Sequence, residues 1–189
     1  MIIQKGNLAI RKMLDCGDDY ELMAKWLSDE KVLKYYEGRG NPFNLEKIME
    51  KYSPRVLGKD KVIPCIVEFD RKPTGYIQYY KLSENNKNEY ELLTIESTYG
   101  IDLFIGETRY WNQGFGTLII KTILEYLFQN KKAKKVVVDP ATRNQRVIRC
   151  NEKCGFRKVK LLPKHELHEG TYIDCWLMGI TRERWRNEQ

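Results

Sequence analysis

The sequence lacks the features that define several common classes of protein. It has only two histidines, and its five cysteines include no CxxC pair, which argues against a structural zinc site and against a disulfide framework. No stretch approaches the roughly 18 uncharged apolar residues of a membrane span. The N-terminal segment MIIQKGNLAIRK lacks the long apolar core and the cleavage site of a signal peptide. These absences predict a cytoplasmic protein with reduced thiols, no metal and no membrane association.

The composition of the chain is that of a globular domain. Among its 189 residues, 42% are apolar and 12% are aromatic, which is enough for a buried core and excludes wholesale disorder. No repeat, low-complexity tract or Pro/Gly-rich linker divides the sequence. The length therefore predicts a single domain over residues 1–189.

Charge is distributed unevenly along the chain. The formal net charge is +7, yet residues 84–102 carry five carboxylates against one lysine, and residues 103–160 carry thirteen Lys and Arg residues against four carboxylates. Adjacent blocks of opposite sign suit a protein that binds one anionic and one cationic ligand. A solvated acidic loop beside a lysine-rich helix accounts for the same pattern, and charge alone leaves both interpretations open. Nucleic-acid binding is disfavoured because no RNP, KH or zinc-finger pattern accompanies the basic residues.

Hydrophobic periodicity predicts a mixed α/β (α+β) domain, in which a strand meander precedes a crossover connection. The predicted helices are Asp18–Leu27 with Asp18 or Asp19 as its cap, a short helix capped by Asn44, Phe115–Asn130 and Asn144–Cys154. The predicted strands are Leu8–Met13, Val62–Phe69, Thr74–Leu82, Tyr99–Ile105, Lys135–Val138, Phe156–Leu161 and Tyr172–Ile180. A turn at Asp70–Pro73 is expected to join the second and third strands into a hairpin. The acidic segment Ser83–Ser97 and the polar segment with His165 and His168 are predicted to be loops, and both histidines are interpreted as structural or exposed.

The sharpest local motif is the segment Trp111–Thr117 (WNQGFGT), between a predicted strand and the longest predicted helix. Gly114 and Gly116 permit close backbone approach to a ligand, and the unpaired N–H groups of a first helical turn suit a phosphate or pyrophosphate. The spacing matches neither the phosphate loop GxxxxGK[ST] nor the dinucleotide motif GxGxxG. Taken alone, the two glycines are explained more simply by a tight turn and close helix packing.

Two stretches of the chain form a joint pattern: the glycine-containing helix start at residues 111–117 and DPATRNQRVIRCNEKCGF, in which an Asn-started helix ends in a Gly-Phe pair. In this pattern the chain resembles the GNAT acetyltransferases. The resemblance extends to the aminoglycoside 6′-N-acetyltransferases, in particular to the acetyltransferase half of the bifunctional acetyl/phosphotransferase resistance enzymes. The matching stretches are WLSDEKVLKYYEGR, TGYIQYYK, YGIDLFIGETRYWNQGFGT and LPKHELHEGTYIDCWLM, which lie within roughly residues 8–180. The resemblance implies the GNAT fold, with a mixed central β-sheet flanked by helices.

The resemblance implies acetyl-CoA as the cosubstrate. The matched motif assigns the CoA pyrophosphate to the backbone N–H groups of Gln113, Gly114, Phe115, Gly116 and Thr117. It assigns the pantetheine arm to the strand at Leu103 and Ile105 and to Asn144. Asn151, also expected to contact CoA, is able to hydrogen-bond the sulfur. Many GNAT enzymes have a tyrosine at the position of Asn151 that protonates the departing thiolate, and asparagine excludes that acid here. A thiol pKa of about 8.5 makes the thiolate a tolerable leaving group without it.

The resemblance also implies an acceptor site for a cationic amine. Asp102 matches the catalytic aspartate of the subgroup, which holds the ammonium group and takes a proton from it, directly or through water. Because a carboxylate is a far weaker base than a primary amine, its main contribution is expected to be positioning and charge stabilisation. The other substrate-binding residues that the resemblance implies are Tyr36, Gln78, Tyr80, Tyr99, Asp139 and Glu169.

The sequence therefore predicts an acetyl-CoA-dependent aminoglycoside 6′-N-acetyltransferase that confers antibiotic resistance. The alternative is a GNAT enzyme that acetylates another amine, such as a polyamine or a protein N-terminus. The drug spectrum, the kinetic order and the choice between monomer and homodimer are left open.

Overall fold

A computed structural model describes residues 1–90, 92 and 95–188. The helices are α1 (Gly17–Trp26), α2 (Glu30–Leu33), α3 (Leu45–Val56), α4 (Glu84–Glu89), α5 (Phe115–Gln129), α6 (Gln145–Lys153) and α7 (Arg182–Asn187). The strands are β1 (Ile3–Lys5), β2 (Leu8–Lys12), β3 (Ile63–Phe69), β4 (Lys72–Lys81), β5 (Thr98–Ile105), β6 (Lys135–Val138), β7 (Arg157–His168) and β8 (Thr171–Thr181). Glu91, one of the five carboxylates of the acidic block, lies outside the described residues.

The strands form a mixed sheet with the order β1-β2-β3-β4-β5-β6-β8-β7. β5 and β6 are parallel, with Tyr99 opposite Val136, whereas β6 and β7 each pair with β8 in antiparallel orientation. Parallel neighbours require a crossover connection, and α5 lies in the segment that joins β5 to β6. Strands and helices in this arrangement confirm the predicted α/β fold class.

The residues of the chain form two compact units, each defined by its internal contacts. The first comprises Met1–Tyr79 and Asp102–Phe115, and the second comprises Tyr80–Ile101 and Gly116–Gln189. The core of the first unit includes Trp26, Ile48, Tyr52, Ile66 and Tyr76. A smaller core in the second unit includes Tyr90, Val137, Leu162, Cys175 and Leu177. The prediction of one domain over residues 1–189 stays a prediction.

Elements with strong local signals lie where the sequence predicts them. Asn44 caps α3, because its side-chain oxygen accepts a hydrogen bond of 2.9 Å from the Lys47 amide. Asp70 and Arg71 have φ values of 50° and 62°, the conformation of a two-residue hairpin turn. The β3–β4 hairpin is therefore confirmed, with a turn shorter than predicted. The predictions for α5 and β6 agree with the structure to within one residue.

Two predictions are wrong, one about the cap of a helix and one about a loop. Cys16, and not Asp18 or Asp19, precedes α1 at the cap position. Asp19 instead forms a bidentate salt bridge with Arg11, at 2.7 Å for each bond, because a nearby guanidinium offers a charged donor pair. Residues 83–97 are not all loop: α4 begins after Ser83, with a capping box to Asn86. Short polar elements such as α4 lack the apolar periodicity by which a helix is predicted.

The segment that contains both histidines is a strand and not a loop. β7 continues to His168 and turns into β8 at Glu169 and Gly170, whose φ values are 51° and 79°. β7 is the last strand in the sheet order, and most of its side chains are exposed. Polar residues are therefore accommodated on it, and the alternation that identifies a half-buried strand is missing from its sequence.

Candidate active site

Asp102 lies on β5 in the first unit, and Gln78 on β4 holds its carboxylate. The Gln78 Nε2 group donates a hydrogen bond of 2.7 Å to Asp102 Oδ2. Gln78 Oε1 accepts hydrogen bonds from the Tyr76 hydroxyl at 2.8 Å and from Arg55 Nη1 at 2.9 Å. Gln78 is only 7% exposed, so these two donors fix which end of its amide faces Asp102. The structure thus brings together two residues that the sequence assigns to the acceptor site.

Tyr36 belongs to an aromatic cluster in the same unit. Its ring lies 4.8 Å from that of Phe104, and Tyr76 stacks on Phe104 at 5.5 Å between centroids. The Tyr52 ring meets the Tyr76 ring edge-on at 5.4 Å. Burial raises the pKa of Tyr36, Tyr52 and Tyr76 above the ordinary tyrosine value. These hydroxyls are therefore neutral at physiological pH, and that of Tyr76 donates its proton to Gln78.

Asp139 follows β6 directly in the second unit and has two partners. Its Oδ2 accepts a hydrogen bond of 3.0 Å from the Tyr90 hydroxyl and lies 3.1 Å from His165 Nε2. The side chain of Asp139 is 25% exposed and that of His165 is 12% exposed. The hydrogen bond to Asp139 raises the pKa of His165 above its ordinary value, although partial burial opposes the shift. His165 is therefore bound to a predicted site residue rather than merely exposed.

The other predicted acceptor residues occupy varied positions in the second unit. Tyr80 packs its ring over Gly100, where a side chain would overlap the ring. Tyr99 is half-buried on β5. Glu169 is exposed in the turn of the β7–β8 hairpin, so it belongs to the hairpin tip and not to a strand face.

The junction before α5 has the backbone that its glycine pattern predicts. Gly114 has a φ of 78°, a region that favours glycine. A Cβ at Gly114 would meet no atom within 4 Å, so the space beside this turn is open. α5 then runs for 15 residues, and its first turn presents N–H groups and a positive dipole end. This combination fits the pyrophosphate of CoA.

Two further side chains join this junction to its surroundings in the first unit. Trp111 Nε1 donates a hydrogen bond of 2.9 Å to the carbonyl oxygen of Ile105, at the end of β5. Gln113 Nε2 donates to the Arg109 carbonyl at 2.6 Å. Leu103 and Ile105 are half-buried on β5.

The two asparagines assigned to CoA have structural roles in α6. Asn144 caps the helix, because its side-chain oxygen accepts a hydrogen bond of 3.3 Å from the Val147 amide. Asn151 is 2% exposed, and its amide group lies 4.0 Å from the sulfur of Met178. Their contacts to CoA stay predictions, and burial makes the contact of Asn151 the harder one to form.

A thiol pair lies against the first turn of α5. Cys150 Sγ is 3.4 Å from the Thr117 hydroxyl, and Cys154 Sγ donates to the Thr117 carbonyl at 3.7 Å. Hydrogen bonding by Cys154 and Thr117 lowers the pKa of the Cys150 thiol below its ordinary value. Spacing along the sequence does not show what a thiol contacts, so this arrangement becomes visible only in the structure.

Sequence reasoning missed several residues that complete these clusters. Tyr76 was detectable, because side chains two apart on a strand share a face and Tyr76 alternates with Gln78. Arg55 carries no such signal, since its contact spans 23 residues of sequence. Tyr90 and His165 lie in segments predicted to be loops, so no face could be assigned to them.

No cluster of three His, Cys, Asp or Glu side chains among the described residues is placed to hold a metal ion. Within the same residues, none of the helices has the length and apolar character needed to cross a membrane.

The chain belongs to the GNAT acetyltransferases, because the family model of the acetyltransferase (GNAT) domain matches residues 15–163. It is therefore an acetyltransferase, and acetyl-CoA is the acetyl donor of this family. The fold and the family that the sequence resemblance implies are both confirmed.

The chain is also similar to particular acetyltransferases. The chain is 28% identical over 157 residues to aminoglycoside N(6')-acetyltransferase type 1 of Klebsiella pneumoniae, covering 83% of this chain and 78% of that protein. It resembles the crystal structure of AAC(6')-Ib in complex with coenzyme A and kanamycin, with a TM-score of 0.78, 25% identity and coverage of 95% and 98% of the two chains. Spermidine N-acetyltransferase from Vibrio cholerae, crystallised with CoA and spermine, has a TM-score of 0.78 at 18% identity over 97% of this chain and 100% of that one. The last likeness concerns the fold alone.

Proposed function

We propose that the protein transfers the acetyl group of acetyl-CoA to the 6′-amine of aminoglycoside antibiotics. The observation that carries the proposal is the Asp102 carboxylate, which a buried Gln78 holds through a hydrogen bond of 2.7 Å. The similarity to an aminoglycoside N(6')-acetyltransferase and to AAC(6')-Ib with kanamycin supports the choice of substrate. Acetylation removes a positive charge from the drug, and we propose that this confers resistance in the cytoplasm.

In the proposed reaction, Asp102 prepares the amine for attack. Its carboxylate holds the ammonium group of the substrate and accepts one proton, directly or through water. The neutral amine attacks the carbonyl carbon of the thioester and forms the C–N bond. Collapse of the tetrahedral intermediate breaks the C–S bond, the nitrogen loses its second proton to solvent, and CoA leaves as a thiolate that solvent protonates. Gln78 fixes the plane of the carboxylate, which is a contribution to positioning.

We further propose that the segment Gln113–Thr117 binds the CoA pyrophosphate through its backbone N–H groups. The positive φ of Gly114 and the open space beside it support this assignment. The pantetheine arm is assigned to the backbone of Leu103 and Ile105, as the family resemblance implies. Asn144 and Asn151 complete the proposed CoA contacts.

Negative charge in the second unit supports a cationic substrate. Asp139 lies near His165, which also lies 3.7 Å from Glu89. Aminoglycosides are polycations, and clustered carboxylates attract and orient such molecules. We assign Asp139 to binding of the drug, together with Tyr36, Gln78, Tyr80, Tyr99 and Glu169.

The proposal is tested by mass spectrometry of kanamycin after incubation with the protein and acetyl-CoA. A matched aminoglycoside with a hydroxyl group at the 6′ carbon serves as the control. One added acetyl group on kanamycin alone is expected, because only kanamycin offers the 6′-amine.

Other outcomes redirect the assignment. Acetylation of both drugs would contradict the 6′ position. Acetylation of neither, combined with thermal stabilisation by acetyl-CoA, would contradict the aminoglycoside substrate and direct the search to polyamines and protein N-termini.

A further inference from the structure

His165 reaches Asp139 because β7 contains a bulge. Leu162 pairs with Cys175 and Glu166 pairs with Ile173, so residues 163–165 of β7 stand opposite Asp174 alone. Two surplus residues therefore bend the strand, which is how bulges redirect side chains beside functional sites. Pro163 is compatible with this place, because a proline in a strand is confined to edges and bulges.

The bulge is fixed by its own backbone. Lys164 adopts a φ of 49°, and its amide donates a hydrogen bond of 2.8 Å to Asp174 Oδ1. The next residue, His165, then places Nε2 at 3.1 Å from Asp139 Oδ2. The imidazole is mostly buried, with 12% of its side chain exposed, so this position is set by the fold and not by a mobile surface chain.

Three carboxylates and one aromatic ring of the described residues act on the imidazole. Asp139 follows β6, Glu89 ends α4 at 3.7 Å from Nε2, and Glu166 neighbours His165 on β7. The Tyr90 ring lies 5.7 Å from the imidazole ring, and its hydroxyl donates to the same Asp139 oxygen. The carboxylates favour the protonated imidazole, and partial burial opposes it.

We propose that His165 is a positioning residue that controls how strongly Asp139 attracts the cationic substrate. Neutral His165 orients the carboxylate and leaves its negative charge available to the substrate. Protonated His165 forms an ion pair with Asp139 and competes with the substrate for that charge. This inference rests on the proposed function, in which Asp139 binds the drug.

The direction of the pH effect follows from the charge. When the pH falls through the pKa of His165, the imidazole gains a proton and the attraction between Asp139 and a cation weakens. The KM for kanamycin is therefore expected to rise, while kcat, which depends on Asp102 in the first unit, changes little. The amines of kanamycin also titrate, so wild type must be compared with variants at each pH.

The first test measures the coupling of the two side chains without any substrate. The chain has two histidines, so NMR resolves two imidazole C2–H signals, which His165→Gln and His168→Gln assign by their loss. The pKa of His165 is expected to lie above the ordinary value of about 6.5 and to fall in Asp139→Asn. A His165 pKa that is the same in Asp139→Asn and wild type would overturn the inference. This result is obtained from wild type and Asp139→Asn even when His165→Gln does not fold.

The second test measures steady-state acetylation of kanamycin between pH 6 and pH 8. The ratio of the wild-type KM to that of His165→Gln is expected to rise about two- to fivefold as the pH falls, the range of a partly exposed ion pair. Glutamine retains a donor toward Asp139 but carries no titrating charge. His168→Gln is the matched control, because it removes the other imidazole, which lies 3.7 Å from Glu166, and keeps the pair of His165 and Asp139. This variant is expected to preserve the wild-type profile.

The outcomes separate this inference from the proposed function. A pH-independent KM ratio, with kanamycin acetylated, overturns the role of His165 and leaves the function in place. Failure of wild type to acetylate kanamycin contradicts the proposed function, and the inference about substrate attraction falls with it, whatever the NMR coupling.

Discussion

Asp102 and Asp139 are two carboxylates that the same fold holds in different ways. Asp102 accepts a hydrogen bond from the amide of Gln78, which is in turn held by Arg55 and the hydroxyl of Tyr76. Asp139 is held by the hydroxyl of Tyr90 and by the imidazole of His165. An amide has no proton to gain or lose near neutral pH, whereas an imidazole does.

The difference teaches that the partner of a carboxylate decides whether the charge beside that carboxylate depends on pH. Gln78 and the two groups that hold it keep one charge state across the physiological range, since the pKa values of Arg55 and Tyr76 are raised. This suits the proposed role of Asp102 in holding an amine. The surroundings of Asp139 include a titratable imidazole, and the pKa of His165 lies above the ordinary histidine value because of its hydrogen bond to Asp139. Sensitivity to pH is therefore expected to enter through substrate binding at Asp139.

The largest effect is expected from the substitution Asp102→Asn. Asparagine keeps an oxygen that accepts from Gln78 but removes the negative charge, so turnover is expected to fall about 100-fold or more, the range of a lost acid–base group. Initial rates measured by mass spectrometry check the loss. Thermal stabilisation by acetyl-CoA should be unchanged, and full activity in this variant would remove Asp102 from its assigned role.

A smaller effect, on stability, is expected from Gln78→Leu. The substitution deprives Arg55, Tyr76 and Asp102 of one hydrogen-bond partner each in a buried environment, which should lower the free energy of unfolding by about 2–4 kcal/mol. Urea denaturation followed by circular dichroism measures it. The matched variant Tyr76→Phe removes only one of the three bonds and should cost about 1 kcal/mol. Equal losses in the two variants would show that the amide does not act as a shared centre.

The smallest effect is expected from Tyr90→Phe. The change removes the 3.0 Å hydrogen bond to Asp139 and keeps the ring in its core. With one donor fewer, the carboxylate interacts more strongly with His165, whose pKa should rise by a few tenths of a unit. NMR titration detects this shift, and the KM for kanamycin should change about twofold or less. A fall in the His165 pKa would indicate that Tyr90 orients the imidazole rather than competing with it.

Local chemistry accounts for the parts of the fold that the sequence predicts correctly. The Asn44 cap, the apolar repeat of α5 and the short apolar strand β6 are each determined by a few adjacent residues. Asp19 was expected to act locally as a cap, but its partner Arg11 is on the preceding strand. A local sequence pattern does not show contacts between different elements, so the prediction of Asp19 as a cap is wrong.

In the candidate site, too, some residues are predictable from the sequence and others depend on contacts between distant elements. Gln78 and Asp102 were identified through family resemblance, and alternation along β4 gives an independent reason to include Tyr76. The pairing of Asp139 with His165 depends on a bulge in an edge strand whose polar sequence is typical of a loop. No residue pattern predicts how far such a strand continues, because its continuation depends on hydrogen bonds to β8.

The bulge in β7 offers a route by which related sequences can diverge. Its surplus is two residues, so loss of Pro163 and Lys164 would restore regular pairing with β8 and preserve the alternation of side chains on both faces. The deletion would fall in the terminal strand of the sheet, where it disturbs one neighbour only. A single short indel would then separate the imidazole from the carboxylate while the rest of the hairpin stayed in register. The proposed pH dependence of substrate binding thus depends on two inserted residues, Pro163 and Lys164. Evolution or protein engineering can add or remove them without other changes to the enzyme.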